Sequence, residues 1–440
     1  MTAILNIPEV AGLVAPDQLV RLPDQKDVPL TPRVRRLVDS SGFARLRGIS
    51  QLGLVGFVYP GAMHTRFEHS LGVYFNALLY LQHMARYPEV GKLIDVGQAE
   101  CFLVAALLHD VGHWPYCHPI EDLQLAGWPT HEETAAEFLN TSEIRELLRD
   151  DWGLAPSSLL ALLNKEVTKP GERLLSSMLS GPIDVDKLDY LYRDSLHAGV
   201  PYGRQFDAPR VIASLCLNAN GDGIAITEKG RTAAELMVFA RYVMFSEVYW
   251  HPAVRSATAM LQRTVYELRQ NLEPNMFLTR SDDAVRELLR RVSLGTPVEG
   301  LTDGLFGARR QLYKRVTQFS YCDQPELFVK LSRRPYKALV NLSQYLAENL
   351  TSELRQAIAA TDVLVDAPPP GLEVQFNVEV KMERLQGFRP LGEISPVVQA
   401  LATKQFDDFV KRVRIFVHPR FRDAVSATMV GRILAGWSES

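Results

Sequence analysis

From Thr65 to about Arg86 the chain reads TRFEHSLGVYFNALLYLQHMAR, with apolar residues returning at i, i+3 and i+4. That recurrence predicts a long amphipathic helix. Gln98 to His109, QAECFLVAALLH, is apolar almost all round, which predicts a helix buried on every side. Thr130-His131-Glu132-Glu133 has the form of a capping box, placing His131 in the first turn of the helix HEETAAEFLNT. Gly181-Pro182 interrupts the helical pattern, and IDVDKLDYLYRDSLHAG predicts a helix starting at about Asp184. Long helical periodicity resumes in RTAAELMVFARYVMFSEVYWHPAVRSATAMLQRTVYELRQNL.

Between these helices the pattern changes. LTPRVRRLVDSSGFARLRGISQLG, from Leu30, predicts one or two short helices, and VGFVYPG after it is strand-like. SLCLNANGDGIAIT predicts a hairpin turning at Asn220-Gly221-Asp222-Gly223. VLVDA, EVQFNVEVKM and VRIFVHP predict strands of a small mixed subdomain, with SPVVQALATKQFDDFVKR as its helix and Pro368-Pro369-Pro370-Gly371 as the clearest linker. The expected organisation is an irregular arm over residues 1–30, a core over 31–270, a helical extension over 271–360 and a small α/β subdomain over 361–440. The class is mainly α with a minor β part near the C-terminus.

At 440 residues and 47% hydrophobic content the chain can bury a sizeable core. No apolar run approaches the roughly 18 residues of a membrane span. The N-terminal stretch lacks a basic region and a small-residue cleavage site, so no secretory signal is expected. Cys101, Cys117, Cys216 and Cys322 are far apart with no C-x-x-C spacing, which suits reduced thiols and a cytoplasmic location and provides no thiolate zinc site. A net charge of −3 argues against a protein that mainly coats nucleic acid. The histidines are uneven: seven of ten lie between His64 and His131. The chemistry is expected there, and it is imidazole chemistry.

His109-Asp110 closes the buried helix, and an adjacent histidine and aspartate at a helix end can turn toward one point, where a divalent cation accepts both. His69 on the earlier helix and Asp186 on the later one can complete such a site. Taken singly, each also reads as a hydrogen-bonded core histidine or a capping aspartate. The order H…HD…D, in the forms HTRFEHSLGV, ALLHDVGHWPYCH and DVDKLDYLYRD, closely resembles the HD-domain metal-dependent phosphohydrolases. Within them it is similar to the deoxynucleoside triphosphate triphosphohydrolase branch, which includes the sterile-alpha-motif/HD triphosphohydrolases and bacterial homologues. The resemblance runs from about Thr31 to Gln262, and more loosely to about Pro419.

The resemblance implies a helical HD-domain bundle as the catalytic core. It implies His69, His109, Asp110 and Asp186 as ligands of one divalent metal ion (Mn, Fe, Mg, Zn or Ni). It implies His118 and His131 as histidines beside the α-phosphate, Glu121 as the acid that orients one of them, and His113 near the metal. Glutamate replaces the commoner aspartate at 121. Arg66, Arg241 and Lys187 match phosphate-contacting residues. Tyr190 and Asp194 match a sugar-contacting pair, and Lys187, Tyr190 and Asp194 also share one helical face by spacing. Gln51 and Leu52 match the readers of the sugar, the glutamine at the 3′-hydroxyl and the leucine, with Tyr190, crowding the 2′ position. Tyr249 matches a base-stacking position, and Trp250 departs from the family by replacing a polar residue. The family's N-terminal D-P-x-x-G segment is absent from the aligned Leu22-Pro23-Asp24-Gln25-Lys26. Asp39 and Arg47 fall at guanine-contacting positions but read equally as a helix salt bridge.

The expected activity is metal-dependent hydrolysis of a deoxynucleoside triphosphate to deoxynucleoside and inorganic triphosphate, by a homo-oligomer, dimer or tetramer, with no membrane partner. Two alternatives remain open at this point. One is a nucleoside monophosphate phosphatase. The other is a regulator that binds nucleotide or nucleic acid on an HD fold, for which the basic run Arg33, Arg35, Arg36, Arg45 and Arg47 is the attraction.

Overall fold

The computed structural model describes residues 3–16, 18–24, 26–369, 377–383, 386–402 and 410–437. Three helices form the centre: Arg66–Met84, Val96–Leu108 and Val185–Ala198. Each starts where a side chain accepts an otherwise unpaired backbone N–H: Thr65 from Glu68, Asp95 from Gln98, and Asp184 from Lys187. Val96–Leu108 is sandwiched, with every residue from Cys101 to Leu108 buried, which accounts for its apolar circumference. Helix His131–Leu139 opens with the Thr130/Glu133 capping box that its sequence predicts.

Two expectations fail. Residues 1–30 are not irregular where described: Ala3–Asn6 is a 3-10 turn, Pro8–Ala11 a short helix, and Leu19–Leu22 pairs antiparallel with Lys26–Pro29. The hairpin forms because Leu22 and Val28 have a core to enter, and sequence spacing alone did not reveal that core. VGFVYPG is not a strand: Gly53–Phe57 is a 3-10 helix. Gly53 sits at φ +51°, and the segment bends back so that Ser50 bridges Thr65, with no strand among the described residues paired to it.

A second core joins Leu54, Trp114 and Tyr116 to helices Pro252–Leu268, Asp282–Ser293 and Glu299–Phe306. The C-terminal strands divide between two sheets. Val413–Val417, buried throughout, is the middle strand between Lys314–Phe319 and Val363–Asp366, all antiparallel, with helices Tyr336–Leu354 and Ala427–Ala435 packed against them. Glu379–Met382 instead runs parallel beside Ile224–Thr227, extending the predicted hairpin Leu215–Leu217/Ile224–Thr227, with Gly387–Pro390 at its far edge. Helix Pro396–Ala402 covers the first part of the predicted helix, and residues 403–409, like 370–376 of the linker and strand, lie outside the described residues. The molecule is a mainly helical bundle with a small mixed α/β part at its C-terminus. No helix among the described residues is long and apolar enough to cross a membrane.

Candidate metal centre and its cleft

His69 lies in the first turn of helix Arg66–Met84 and is 1% exposed. Its Nδ1 is 3.0 Å from Asp189 Oδ2, which leaves Nε2 free to face a common point. His109 and Asp110 follow the last residue of helix Val96–Leu108, where unpaired carbonyls make a locally negative end that favours a cation. His109 Nδ1 lies 2.9 Å from the Ala106 carbonyl, so that nitrogen carries the proton and Nε2 keeps its lone pair. Asp186, two residues past the Asp184 cap, enters from the third helix.

These four side chains meet. His69 Nε2 is 3.2 Å from His109 Nε2 and 3.1 Å from Asp186 Oδ1, and His109 Nε2 is 3.4 Å from Asp110 Oδ1 and 3.8 Å from Asp186 Oδ1. Donors each about 2.1 Å from one ion and at right angles stand about 3.0 Å apart. Two imidazoles with two carboxylates also form the mixed nitrogen–oxygen set that a divalent first-row ion accepts. The residues present therefore fit a divalent metal.

The electrostatics agree. Burial alone would disfavour charge on His69, yet hydrogen bonds to Asp186 and Asp189 push its pKa up to about 10, so a cation is favoured there. Burial would likewise raise Asp110, but His113, Arg66, His109 and His69 hold it well below the ordinary carboxylate range. Arg66 donates to Asp110 Oδ2 at 2.8 Å. Behind His69, Asp189 is gripped by Arg193, whose Nη1 also reaches Glu68 at 2.6 Å. Gly72 permits this pair to pack, since a Cβ there would lie 2.0 Å from Asp189 Oδ1.

A second group of imidazoles adjoins the first. His113 Nδ1 is 3.0 Å from Asp110 Oδ1, and its Nε2 is 3.3 Å from His118 Nε2. The donor atoms of His113, His118 and His131 all lie within 4.8 Å of one another. Burial, and then Arg66, hold His113 well below the ordinary histidine range, so it is neutral. Glu121, at the end of the short helix Cys117–Glu121, lies 3.0 Å from His131 Nδ1 and 3.3 Å from His118 Nδ1. Against the cost of burial, this contact raises His131, and the two histidines hold Glu121 low. Thus the extra methylene of Glu121 still reaches both rings. Cys117, next to His118, is buried with its thiol pushed up to about 12, which leaves it un-ionised.

All of this opens into one cavity of 510 Å³, whose walls also carry Gln51, Leu52, Arg66, Tyr190, Asp194 and Tyr249. Tyr249 ends a one-turn π-helix, Phe245–Tyr249, and its hydroxyl donates to Asp194 Oδ2 at 2.6 Å. Asp194 Oδ1 is 2.9 Å from His64 Nε2. Three sequence-predicted residues do not line the cavity, one of them Glu121, which stands behind His131. Lys187 turns back on Asp184 Oδ2 at 2.5 Å and the Gly181 carbonyl at 3.1 Å, so its helical spacing with Tyr190 and Asp194 did not translate into a shared wall. Arg241 is buried within helix Arg231–Met244, with its guanidinium 5.4 Å from the Phe245 ring centre. Conversely, Lys165 lines the cleft from a loop position at φ +61°, and Asp189 with Arg193 supports His69. Nothing in the sequence marks Lys165. The Asp189/Arg193 pair is spaced i, i+4 on the helix that carries Asp186, a signal that could have found it.

Comparison with known proteins agrees with this geometry. The HD domain matches residues 66–194, and the HD associated region matches residues 206–435. An uncharacterized protein of Methanocaldococcus jannaschii is 31% identical over 389 residues, covering 87% of this chain and 76% of that protein. The deoxynucleoside triphosphate triphosphohydrolase SAMHD1 of Gallus gallus is 31% identical over 258 residues, 51% of this chain and 41% of that protein. A crystal structure of a hypothetical protein from Aquifex aeolicus superposes with a TM-score of 0.71 at 27% identity, covering 92% of this chain and 98% of that one. The chain belongs to the HD-domain family. It is a metal-dependent phosphohydrolase of the HD type, related distantly to SAMHD1, with a clustered histidine and carboxylate site capable of coordinating a divalent ion.

Proposed function

We propose that the protein hydrolyses deoxynucleoside triphosphates to deoxynucleoside and inorganic triphosphate, with His69, His109, Asp110 and Asp186 as the metal ligands. The observation that carries this reading is that one cavity is lined both by those four residues and by Gln51, Leu52, Tyr190, Asp194 and Tyr249, a wall suited to a sugar and a base. When bound, the ion lowers the pKa of a coordinated water and neutralises charge on the phosphoryl oxygens. The chain supplies the rest. Arg66 faces the phosphates while bracing Asp110. His131, whose pKa Glu121 raises, gives a proton to the departing 5′-oxygen as its bond to the α-phosphorus breaks, with the His118 ring beside it. The water oxygen goes to phosphorus, so the products are deoxynucleoside and tripolyphosphate. Gln51 and Asp194 read the 3′-hydroxyl, Leu52 and Tyr190 exclude a 2′-hydroxyl, and Tyr249 stacks on the base.

The internal pairing of the basic run counts against a nucleic-acid regulator. Arg33 binds Glu9 and Glu100, Arg36 binds Asp151, Arg45 binds the His113 and Val111 carbonyls, and Arg35 and Arg47 face Asp39.

The test is a panel of dNTPs and NTPs incubated with metal-loaded protein, with phosphate products separated chromatographically. Tripolyphosphate from dNTPs is expected, and its absence with every dNTP overturns the reading. The double variant His109→Ala/Asp110→Ala is expected to lose both metal and turnover while keeping its helical circular dichroism. Retained metal stoichiometry refutes the ligand assignment.

A further inference from the structure

Helix Asp282–Ser293 lies outside the segment matched by the HD domain and carries none of the four proposed metal ligands, yet it grips both segments that frame the Gln51 side of the cleft. Asp282, at its first position and 7% exposed, accepts with a single oxygen from Ser50: Oδ2 takes the backbone N–H at 3.1 Å and the hydroxyl at 2.5 Å. Ser50 precedes Gln51. The segment is zipped to residues 64–66, with Gln51 N–H donating to the His64 carbonyl at 3.0 Å and Arg66 N–H to the Ile49 carbonyl at 2.9 Å. Holding Ser50 therefore holds Gln51 and the start of the Arg66 helix together. The Oε1 of Gln51 is buried without a hydrogen-bond partner among the described residues and stands at the cavity wall, so its aim depends on the backbone beneath it. The approach is close enough to require glycine at 48, where a Cβ would come within 2.8 Å of Ser281 Cβ.

One turn further along, Arg286 Nε donates to the Tyr116 hydroxyl at 2.7 Å. Tyr116 occupies the left-handed region at φ +57°, a conformation a tyrosine adopts only when its surroundings hold it. It starts the turn that leads to His118. Its ring lies 3.4 Å from where a Cβ of Gly53 would stand, and Gly53 is itself left-handed. The two gripped segments face one another across a side cavity of 190 Å³ that runs on from the main cleft and is lined by Gln51, Leu52, Tyr116, His118 and Tyr249.

We propose that Asp282 and Arg286 are positioning residues: Asp282 sets the sugar-reading Gln51–Leu52 pair through Ser50, and Arg286 sets the His118 turn through Tyr116. The proposal takes its substrate from the function proposed above, but the positioning is readable without nucleotide. Hydrogen exchange on the metal-loaded chain is expected to show lost protection over residues 49–52 in Asp282→Ala and over 114–118 in Arg286→Ala. Asp282→Asn keeps an oxygen that can accept from both Ser50 donors and is expected to stay near wild type. Should Asp282→Ala fold poorly, Ser50→Ala removes the hydroxyl contact alone and reads the same clamp. In turnover, Asp282→Ala is expected to lose about 10- to 100-fold in kcat/KM for dNTPs, the scale of a misplaced positioning group, and to narrow its preference for dNTP over NTP, with Asp282→Asn restoring both. Wild-type protection over 49–52 in both Asp282→Ala and Ser50→Ala overturns the proposal for Asp282, and over 114–118 in Arg286→Ala that for Arg286. Wild-type protein that turns over no dNTP refutes the functional reading instead, and the exchange result still decides the positioning.

Discussion

Replacing Glu121 with glutamine keeps the side chain's length and an acceptor oxygen but removes its charge. In the wild type that carboxylate accepts the His131 backbone N–H at 2.6 Å and lies 3.0 Å from Nδ1 of the same residue. An opposite charge at this range favours the protonated imidazole. The Glu121 side chain is 18% exposed and that of His131 25%, so the pair is largely shielded from solvent and the charge of Glu121 is felt by the ring. A general acid works only while protonated, so activity falls as pH rises through its pKa. Wild-type His131 is raised by Glu121 against the cost of burial; losing the negative partner lowers it, and the alkaline limb of the kcat/KM profile is therefore expected to move to lower pH. The assay is a pH–rate series on metal-loaded wild type and Glu121→Gln, with metal content and circular dichroism confirmed equal. An alkaline limb that stays in place, or moves up, refutes His131 as the proton donor tuned by Glu121.

Other perturbations test other layers of the site. Asp189→Asn removes the carboxylate that orients His69, and loss of such a supporting partner lowers metal affinity by about 10- to 100-fold; chelator competition reads this directly, and unchanged affinity shows that His69 needs no such support. Gly112→Ala places a Cβ 2.0 Å from the His131 carbonyl oxygen and 2.5 Å from the Ala135 nitrogen, both backbone atoms that cannot rotate away. Helix His131–Leu139 must then shift, and turnover is expected to fall by about 100-fold while metal is retained; full activity in this variant shows that the placement of His131 is not critical.

Much of the metal centre was legible because its signals are local. An apolar circumference marks a helix sandwiched on all sides, and a histidine–aspartate pair at the end of such a helix has little room to be ordinary surface. The cap at Thr130 depends on a side chain three residues from the amide it satisfies, so spacing alone identifies it. Lys187 shows the limit of that logic: periodicity placed it on a face with Tyr190 and Asp194, but a lysine's long stem can fold back, and the buried Asp184 carboxylate drew it away from the cleft.

The chain's order of residues by itself determined the mainly helical class, the helices that carry His69, His109, Asp110 and Asp186, and the position of His131 at a helix start, since each depends on neighbours a few residues away. Only the tertiary structure decided that Leu19–Leu22 and Lys26–Pro29 pair against the core, that VGFVYPG turns rather than extends, that the C-terminal strands split between two sheets, and that Asp282 reaches back 232 positions to Ser50. Those outcomes depend on which distant surfaces come within a few ångströms. Burial, strand pairing and charge pairing are settled by that proximity, and it leaves no periodic trace along the chain.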